Sequence, residues 1–413
     1  MKLIRNALIY FCLLPVFSIA VKAQVYAHYR PAIKFRVYVP GMKDSLQLDF
    51  FIPREAELAP ARKYPVIYLF DSQNRSNYHY NLQTIDYLTG FGNMPSAVLV
   101  GVGFPAAVRT SWTLPSSQKG KADSLLSYLL GPLRQKLSSY CQLADFNLLI
   151  GHSRTAMLSS YALAAFPEKV HAVIASSNSF FDFNNQEQQT LFEKYIDQKR
   201  QVPGHPQHFY FSSGTIANGD VHDTSVSKLS RYMSARQLPA DFHWQYYREK
   251  TPHITVPGMT TGRALNDLFS PATEALQTCF SVVNNQVQTD SVPWAAYLNI
   301  YQAAADAIGM KLQPDLIFYN SLASAYMNDY HDRFKEKRFA LATAVLQNGA
   351  AAYPAYPGFY SYLAAVKLEA GDRVEARKYL QQAVQRLKKL RFANQDILEE
   401  EQASVAELLR ELK

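Results

Sequence analysis

The chain has 413 residues, of which 48% are hydrophobic, 13% aromatic and 18% charged, with 17 glycines and 21 prolines. This composition excludes a disordered chain, a collagen-like chain and a disulfide-built scaffold, and the length predicts two domains. The formal net charge of +8 comes from basic residues spread along the chain. Because no dense Lys/Arg cluster occurs, we expect no nucleic-acid partner.

The N-terminus has the pattern of a secretory signal peptide. Lys2 and Arg5 precede an apolar run over residues 7–21, and the small Ala23 suits a cleavage site. The run is short for a membrane-spanning helix, and no other stretch is long and apolar enough. We therefore expect a signal peptide over residues 1–23, a secreted or periplasmic protein, and no membrane span after its removal. An uncleaved anchor is the alternative.

From about residue 34 to 270, strand-like and helix-like patterns alternate. Val66–Phe70 and Ala97–Val102 contain continuous apolar runs, which are typical of strands buried on both faces of a parallel sheet. Lys34–Val39 and Leu46–Ile52 alternate instead and predict an antiparallel edge hairpin. The later predicted strands are Asn147–Ile150, Ala172–Ser176, His208–Ser212 and Phe242–Tyr247, with helices at Lys121–Tyr140, Arg154–Phe166 and Thr224–Arg236. This order predicts an α/β fold, a doubly wound, mostly parallel sheet with helices on both faces.

After about residue 275 the chain becomes rich in Ala, Leu and Gln and loses its strand signals. The hexamer FYNSLA at Phe318 recurs 41 residues later as FYSYLA at Phe359, and Gly371 then marks a helix–helix turn. This pattern resembles a tetratricopeptide (TPR) unit and predicts a smaller all-helical, TPR-like domain over residues 276–413. An ordinary helical bundle is the alternative. Such helices could dock a protein partner.

A strand–turn–helix junction carries the chemistry of the first region. The predicted strand ends at Ile150, and Gly151-His152-Ser153-Arg154-Thr155 leads directly into a helix. In a nucleophile elbow this places the Ser153 hydroxyl at the carboxyl edge of the sheet, with the Arg154 backbone N–H beside it as an oxyanion donor. Thr155 stands where the motif has glycine, which predicts a wider or tilted elbow. A serine that only caps the helix is the alternative.

A serine nucleophile needs a base, and the base needs an acid that orients it. His253 follows the last predicted strand in a loop that can reach the sheet edge. The loop after His208–Ser212 offers Asp220 and Asp223. We favour Asp220 as the acid because it is nearer the strand, whereas Asp223 has the pattern of a helix N-cap and is the alternative.

Two more candidate site residues follow from strand ends and loops. A second oxyanion donor is expected from the backbone N–H of Ser72 or Gln73, just after Val66–Phe70. Arg109 could bind an acidic or hydroxyl-bearing substrate, although a solvated surface arginine is an equal alternative. This set of residues predicts acyl transfer.

Four segments together resemble the Putative esterase (esterase D-like) family of α/β hydrolases, over about residues 30–270. They are Tyr64–Asp71, Asn93–Val102, Gly151–Ser153 and His253–Pro257. The resemblance implies an α/β-hydrolase domain over residues 24–275 that hydrolyses carboxylic esters through an acyl-enzyme, with no metal or organic cofactor. It implies Ser153 as nucleophile and His253 as base. The family includes siderophore esterases and feruloyl or acetyl-xylan esterases, so the resemblance implies siderophore-like, carbohydrate or hydroxycinnamate esters as substrates.

Two functions therefore remain open at the level of sequence. The first is an exported serine esterase that acts on a small-molecule or glycan ester. The second is a catalytically weak or inactive hydrolase-fold binding module, which presents its helical region to a partner. Thr155 and Ala156 occupy positions where the family usually has glycines, and this departure is the best sequence support for the second function.

Overall fold

The computed structural model describes residues 27–40, 42, 44–115, 120–178, 186–201, 205–216, 219–285, 291–329, 336–391 and 395–413. The predicted signal peptide lies outside these residues. Across the described ranges, no helix combines the length and the apolar character that crossing a membrane requires.

Eight strands of the described chain form one sheet in the order β1-β2-β4-β3-β5-β6-β7-β8. The strands are β1 Ile33–Val39, β2 Asp44–Phe51, β3 Tyr64–Phe70, β4 Val98–Gly103, β5 Leu143–His152, β6 Ala172–Ser176, β7 Gln207–Ile216 and β8 Phe242–Pro252. β2 pairs antiparallel with β1 and β4, and the other pairs are parallel. This topology is an α/β-hydrolase fold, which confirms the predicted fold class and the predicted edge hairpin.

Helices cover both faces of the sheet. In the first region they are α1 Glu55–Leu58, α2 Arg75–Gly90, α3 Arg109–Thr113, α4 Ala122–Tyr128, α5 Arg134–Leu137, α6 Arg154–Ala165, α7 Gln186–Gln201, α8 Gly219–Ser234 and α9 Val256–Asn285. β3 shows how the layers form, because alternate side chains of a strand point to opposite faces. Tyr68 joins the apolar cluster under α4 and α6, whereas Ile67 and Leu69 join the cluster under α2 and α9.

The predicted helix Lys121–Tyr140 is interrupted in the structure. A π-helical segment, Leu129–Leu133, lies between α4 and α5 and contains Pro132. Proline has no N–H to donate to the preceding turn, so the regular hydrogen-bond ladder breaks there. The buried leucines of all three segments nevertheless face the same cluster.

Six further helices form the C-terminal region. They are α10 Trp294–Ile308, α11 Leu316–Met327, α12 Phe339–Ala352, α13 Gly358–Glu369, α14 Arg373–Leu387 and α15 Gln395–Glu411. The repeated hexamers lie in α11 and α13, and Phe318 and Phe359 are buried in one apolar cluster. Gly371 has a φ of 86° between α13 and α14, which confirms the predicted turn. The relationship to TPR units stays a prediction.

One long helix belongs to both regions. The first half of α9 packs Leu265 and Leu268 against the sheet, and its second half packs Leu276 and Val283 in the C-terminal cluster. The predicted domain boundary at residue 275 therefore falls inside a continuous helix.

Several polar contacts also join the regions, and His208 and Arg62 make three of them. His208 on β7 donates from Nε2 to the Ile308 carbonyl at 3.0 Å. The buried Arg62 donates to the carbonyls of Pro314 at 2.9 Å and Gln313 at 3.0 Å. Each of these three contacts uses a side chain of the first region and a backbone carbonyl of the second.

Candidate active site

Ser153 lies at the junction of β5 and α6 in a strained backbone conformation. Its φ is 57° and its ψ is −116°, a region that residues with a Cβ rarely occupy and that costs about 1–3 kcal/mol. Its N–H donates to the Ser176 carbonyl at 2.9 Å, while its side chain makes no capping bond to the helix. The alternative of a helix-capping serine is therefore wrong.

The elbow is tight, and Gly151 and Thr155 together explain why. A Cβ on Gly151 would lie 2.3 Å from the Thr155 carbonyl oxygen, so only glycine fits there. The Thr155 hydroxyl accepts from the His152 N–H at 3.0 Å and donates to Asp71 Oδ2 at 2.8 Å. The Thr155 hydroxyl therefore bonds the helix to the neighbouring strand ends, and the expectation of a wider or tilted elbow stays a prediction.

His253 begins a short 3₁₀ turn, His253–Thr255, immediately after β8. The residue before the elbow serine holds it: His152 Nε2 donates to the His253 carbonyl at 3.0 Å. The two imidazole rings have centroids 4.7 Å apart at an interplanar angle of 37°. This contact holds His253 at the carboxyl edge of the sheet, against His152, the residue that directly precedes Ser153 in the chain. His152 is a site residue that motif reasoning missed, although it lies inside the motif.

The two candidate acids lie in α8 rather than in a loop. The helix begins at Gly219, so Asp223 is inside it, and the prediction of Asp223 as an N-cap is wrong. Its carboxylate accepts from Arg248 Nη2 at 2.8 Å, Tyr246 OH at 3.0 Å and Ser213 Oγ at 2.5 Å. Burial alone would raise the pKa of Asp223, but these hydrogen bonds hold that pKa below its usual value. The Asp220 side chain lies outside the described residues.

The loop after β3 changes the predicted oxyanion donor. The Ser72 N–H donates to the Val102 carbonyl at 3.1 Å. It is therefore occupied, and the prediction of Ser72 as a donor is wrong. Gln73, the alternative residue, is exposed and lines a pocket with His152. Arg154 opens α6, where the first backbone N–H groups have no partner within the helix.

Arg109 is bound to a carboxylate of the protein itself. Its Nε and Nη2 donate to Asp71 at 2.6 and 2.7 Å, and this hydrogen bonding raises the pKa of Arg109. Asp71 also accepts from Gln73 Nε2 at 2.7 Å. The expectation that Arg109 binds an acidic substrate is therefore corrected, because its charge is neutralised by Asp71. A carboxylate at the end of a buried strand was the sequence signal for Asp71.

A pocket of about 160 Å³ opens beside the elbow. It lies between the first turns of α2, the end of β3 and the start of α9. Its lining consists of Phe70, Asp71, Gln73, Asn74, Asn77, Asn81, Arg109, Ile150, Gly151, His152, Ser176 and Pro257. Gly151 and His152 directly precede Ser153, so the pocket adjoins the candidate nucleophile.

The family model described as "Putative esterase" matches residues 40–251. The chain belongs to this family. Membership supports hydrolysis of ester substrates, in agreement with the resemblance noted from the sequence. No curated protein matches the chain at a significant level.

Solved structures with the same fold include two that cover most of this chain. An uncharacterised protein from Capnocytophaga ochracea is 14% identical with a TM-score of 0.56, covering 92% of this chain and 99% of that one. An IroE-like serine hydrolase from Shewanella oneidensis is 16% identical with a TM-score of 0.59, covering 77% of this chain and 100% of that one. The first match spans the helical region as well, so the joined sheet and helices recur in another protein.

Proposed function

We propose that this protein is an exported serine esterase, in which Ser153 attacks the carbonyl carbon of a carboxylic ester. The observation that carries the proposal is the strained backbone of Ser153 at the turn between β5 and α6. Strain of this kind persists only where the surrounding structure imposes it, and it clusters at functional sites. Gly151 and Thr155 supply that surrounding structure through a close approach and two hydrogen bonds.

The proposed reaction has two halves. In the first, His253 takes the proton of the Ser153 hydroxyl as the oxygen attacks, and the backbone N–H groups of Arg154 and Gln73 stabilise the oxyanion. The carbon–oxygen bond to the alcohol then breaks, and His253 returns the proton to the departing oxygen. In the second half, water gives a proton to His253 and attacks the acyl carbon. The bond from that carbon to the Ser153 oxygen then breaks, the carboxylic acid leaves, and His253 returns the proton to Ser153.

In the proposed mechanism, two residues position the base, His253. His152 fixes the backbone of His253 through its 3.0 Å hydrogen bond. Asp220 remains our proposed acid, since the oxygens of the alternative, Asp223, already accept from Arg248, Tyr246 and Ser213. An acid that orients the imidazole keeps the correct tautomer and stabilises its protonated form.

The substrate proposed here is a small ester, either siderophore-like or a carbohydrate or hydroxycinnamate ester. Docking of a protein partner on the C-terminal helices is part of the same proposal. The binding-module alternative lacks a supporting observation, because the Thr155 hydroxyl bonds the elbow to the neighbouring strand ends.

A fluorophosphonate probe tests the nucleophile directly. We expect the folded protein to be labelled at Ser153, located by mass spectrometry, and Ser153→Ala to lose labelling. Ser153→Ala should also lose at least about 10⁴-fold in kcat on p-nitrophenyl acetate. Ser139→Ala, at an exposed helix-end serine, is the matched control and should behave as wild type. Equal ester hydrolysis by Ser153→Ala and wild type would overturn the proposal.

Export has its own measurement. The intact mass of the protein recovered from the cell envelope or the medium should correspond to cleavage after Ala23. Recovery of the full-length chain from the cytoplasm alone would contradict export without affecting the esterase proposal.

A further inference from the structure

Helix α2 and its N-cap residue present a row of three asparagines to the pocket beside the elbow. Asn74, Asn77 and Asn81 all line it, and their spacing places them on one side of the helix. Asn74 is exposed, Asn77 is half-buried, and Asn81 is buried at 9% exposure. The rise from the first to the last is about 10 Å. The row therefore runs from the mouth of the pocket towards its floor.

The protein itself does not use these side-chain amides. Within the described residues, none of the three makes a side-chain hydrogen bond, and the buried Oδ1 of Asn81 has no partner. A buried amide oxygen left without a donor costs about 1–3 kcal/mol. Each asparagine offers both donors and an acceptor. A group that also donates and accepts, such as a hydroxyl, is the chemical complement of this row.

The charge of the pocket disfavours anionic ligand groups. Among the described residues that line it, the charged side chains are Asp71 and Arg109, which bond to each other at 2.6 and 2.7 Å. The lining therefore carries no net charge and offers no unpaired cation to an anionic group. Phe70 and Ile150 add an apolar surface on which a ring can rest.

We propose that this pocket binds an uncharged, hydroxyl-bearing part of the ester substrate, of the size of one sugar ring. Its volume of about 160 Å³ is roughly five times the space of one water molecule in the liquid. Gly151 and His152 form one wall, so a group in the pocket lies next to the Ser153 elbow. The inference rests on the proposed function and narrows its substrate class to carbohydrate esters, in preference to anionic siderophore esters.

Three acetyl esters that differ only in the alcohol test the charge and the hydroxyls. They are acetylated methyl glucoside, its glucuronate counterpart with a carboxylate, and cyclohexyl acetate, which has a ring without further hydroxyls. We expect kcat/KM for the glucoside to exceed that for each of the others by about tenfold, the effect of one or two hydrogen bonds. Equal or faster hydrolysis of the glucuronate ester, or of cyclohexyl acetate, overturns the proposal.

Variants of α2 locate the effect. Asn81→Leu keeps the side-chain size and should raise KM for the glucoside ester about fivefold to tenfold. Asn77→Ala, at a half-buried position, should raise the same KM about threefold. It still tests the pocket if Asn81→Leu, at the buried position, fails to fold. Gln83→Ala, at an exposed position of α2 outside the lining, is the control and should change neither the KM for the glucoside ester nor kcat/KM for p-nitrophenyl acetate. A KM for the glucoside ester that stays at the wild-type value in both asparagine variants overturns the proposal.

A binding measurement separates failure of the pocket from failure of the enzyme. Ligand-observed NMR with methyl glucoside needs no catalysis, and the signal should weaken in Asn81→Leu but persist in Ser153→Ala. If Ser153 is not labelled by fluorophosphonate, the proposed function fails and this binding experiment still decides the pocket. If labelling succeeds and methyl glucoside does not bind, the pocket proposal alone is overturned.

Discussion

The sheet region and the helical region differ in where their backbones are strained. In the described chain, Asp71, Ser153 and Ser177 have φ values of 63°, 57° and 52°, and each follows or ends a strand. Their strands, β3, β5 and β6, are neighbours in the sheet, so the three residues meet at its carboxyl edge. The helical region has Asn328 at a φ of 60° and a ψ of 31°, a left-handed helix end that asparagine adopts readily.

This difference separates a region built for chemistry from one built by regular packing. The helical region obeys local rules: Asp315 and Asp372 cap their helices by accepting from the backbone at 2.8 and 3.1 Å. In the sheet region, three residues at one edge have positive φ values instead, and hydrogen bonds and close contacts hold them in that conformation. Strained positions that cost about 1–3 kcal/mol each must be imposed by their surroundings.

The largest expected effect comes from substituting the glycine behind the elbow. Gly151→Ala places a Cβ 2.3 Å from the backbone oxygen of Thr155, so we expect a loss of about 4 kcal/mol in unfolding free energy. Gly349→Ala in α12 meets only the ring of Phe359, at 2.8 Å, and should cost about 1–2 kcal/mol. Urea denaturation at one pH provides the comparison.

Gly131→Ala is the control for this series. A Cβ there meets nothing within 4 Å, so we expect no loss of stability. If Gly151→Ala and Gly349→Ala cost the same, the backbone of the elbow yields as easily as a side chain, and the comparison between the regions fails.

The contact between the sheet region and the helical region at His208 should weaken in acid. Burial first, and then the nearby His243, lower the pKa of His208 to about 4, against the hydrogen bond to Ile308. Its unfolded pKa is about 6.5, so the unfolded state binds the proton more strongly than the folded state and is favoured as pH falls. The contribution of His208 to the free energy of unfolding is fully present above about pH 6.5. It decreases by about 3 kcal/mol as the pH falls to 4.

Urea denaturation at pH 7.5 and pH 4 measures this loss. His208→Gln keeps a donor but does not titrate, so its loss between the two pH values should be smaller by about 2 kcal/mol. The remaining slope includes His171, whose pKa burial also lowers. An equal loss in wild type and His208→Gln would show that other groups govern the acid response.

The fold could be predicted where the signal is local. Val66–Phe70 and Ala97–Val102 are apolar throughout, and both are buried strands within one or two residues of the predicted bounds. Helix α2 was missed because its inner face mixes Tyr78 and Asn81 with Leu82 and Ile85, which weakens the apolar stripe. The asparagine facing the pocket is thus one reason for the missed helix.

The candidate site divides in the same way. Ser153 could be predicted because an elbow is a contiguous motif, and Gly151 supports it from two positions away. The contacts of Asp71 could not, since Arg109 and Thr155 lie 38 and 84 positions further along the chain. Their proximity depends on the sheet order, which places β3 next to β5. The occupied N–H of Ser72 is hidden for the same reason, because its acceptor belongs to β4.

A smaller effect distinguishes two buried threonines. Thr155→Val keeps the side-chain volume but removes the hydroxyl that bonds Asp71 and the His152 N–H, so we expect a loss of about 1–2 kcal/mol. Thr343 in α12 is buried with a hydroxyl that has no partner in the described chain. Thr343→Val should therefore be neutral or slightly stabilising. Thermal unfolding of both variants would contradict the argument if their midpoints shifted alike.

The smallest effect measures the strain itself. Glycine adopts the backbone angles of Ser153 without a steric cost, whereas alanine keeps the Cβ that causes it. Both variants lack the hydroxyl and are expected to be inactive, so their stabilities can be compared without a difference in chemistry. We expect Ser153→Gly to unfold at a free energy about 1 kcal/mol higher than Ser153→Ala, because the released strain exceeds the extra chain entropy of glycine. At a relaxed position the order reverses, with alanine the more stable by about 0.5–1 kcal/mol. The sign of this one difference, measured by urea denaturation, therefore decides whether the sheet edge holds Ser153 under strain or merely bends there.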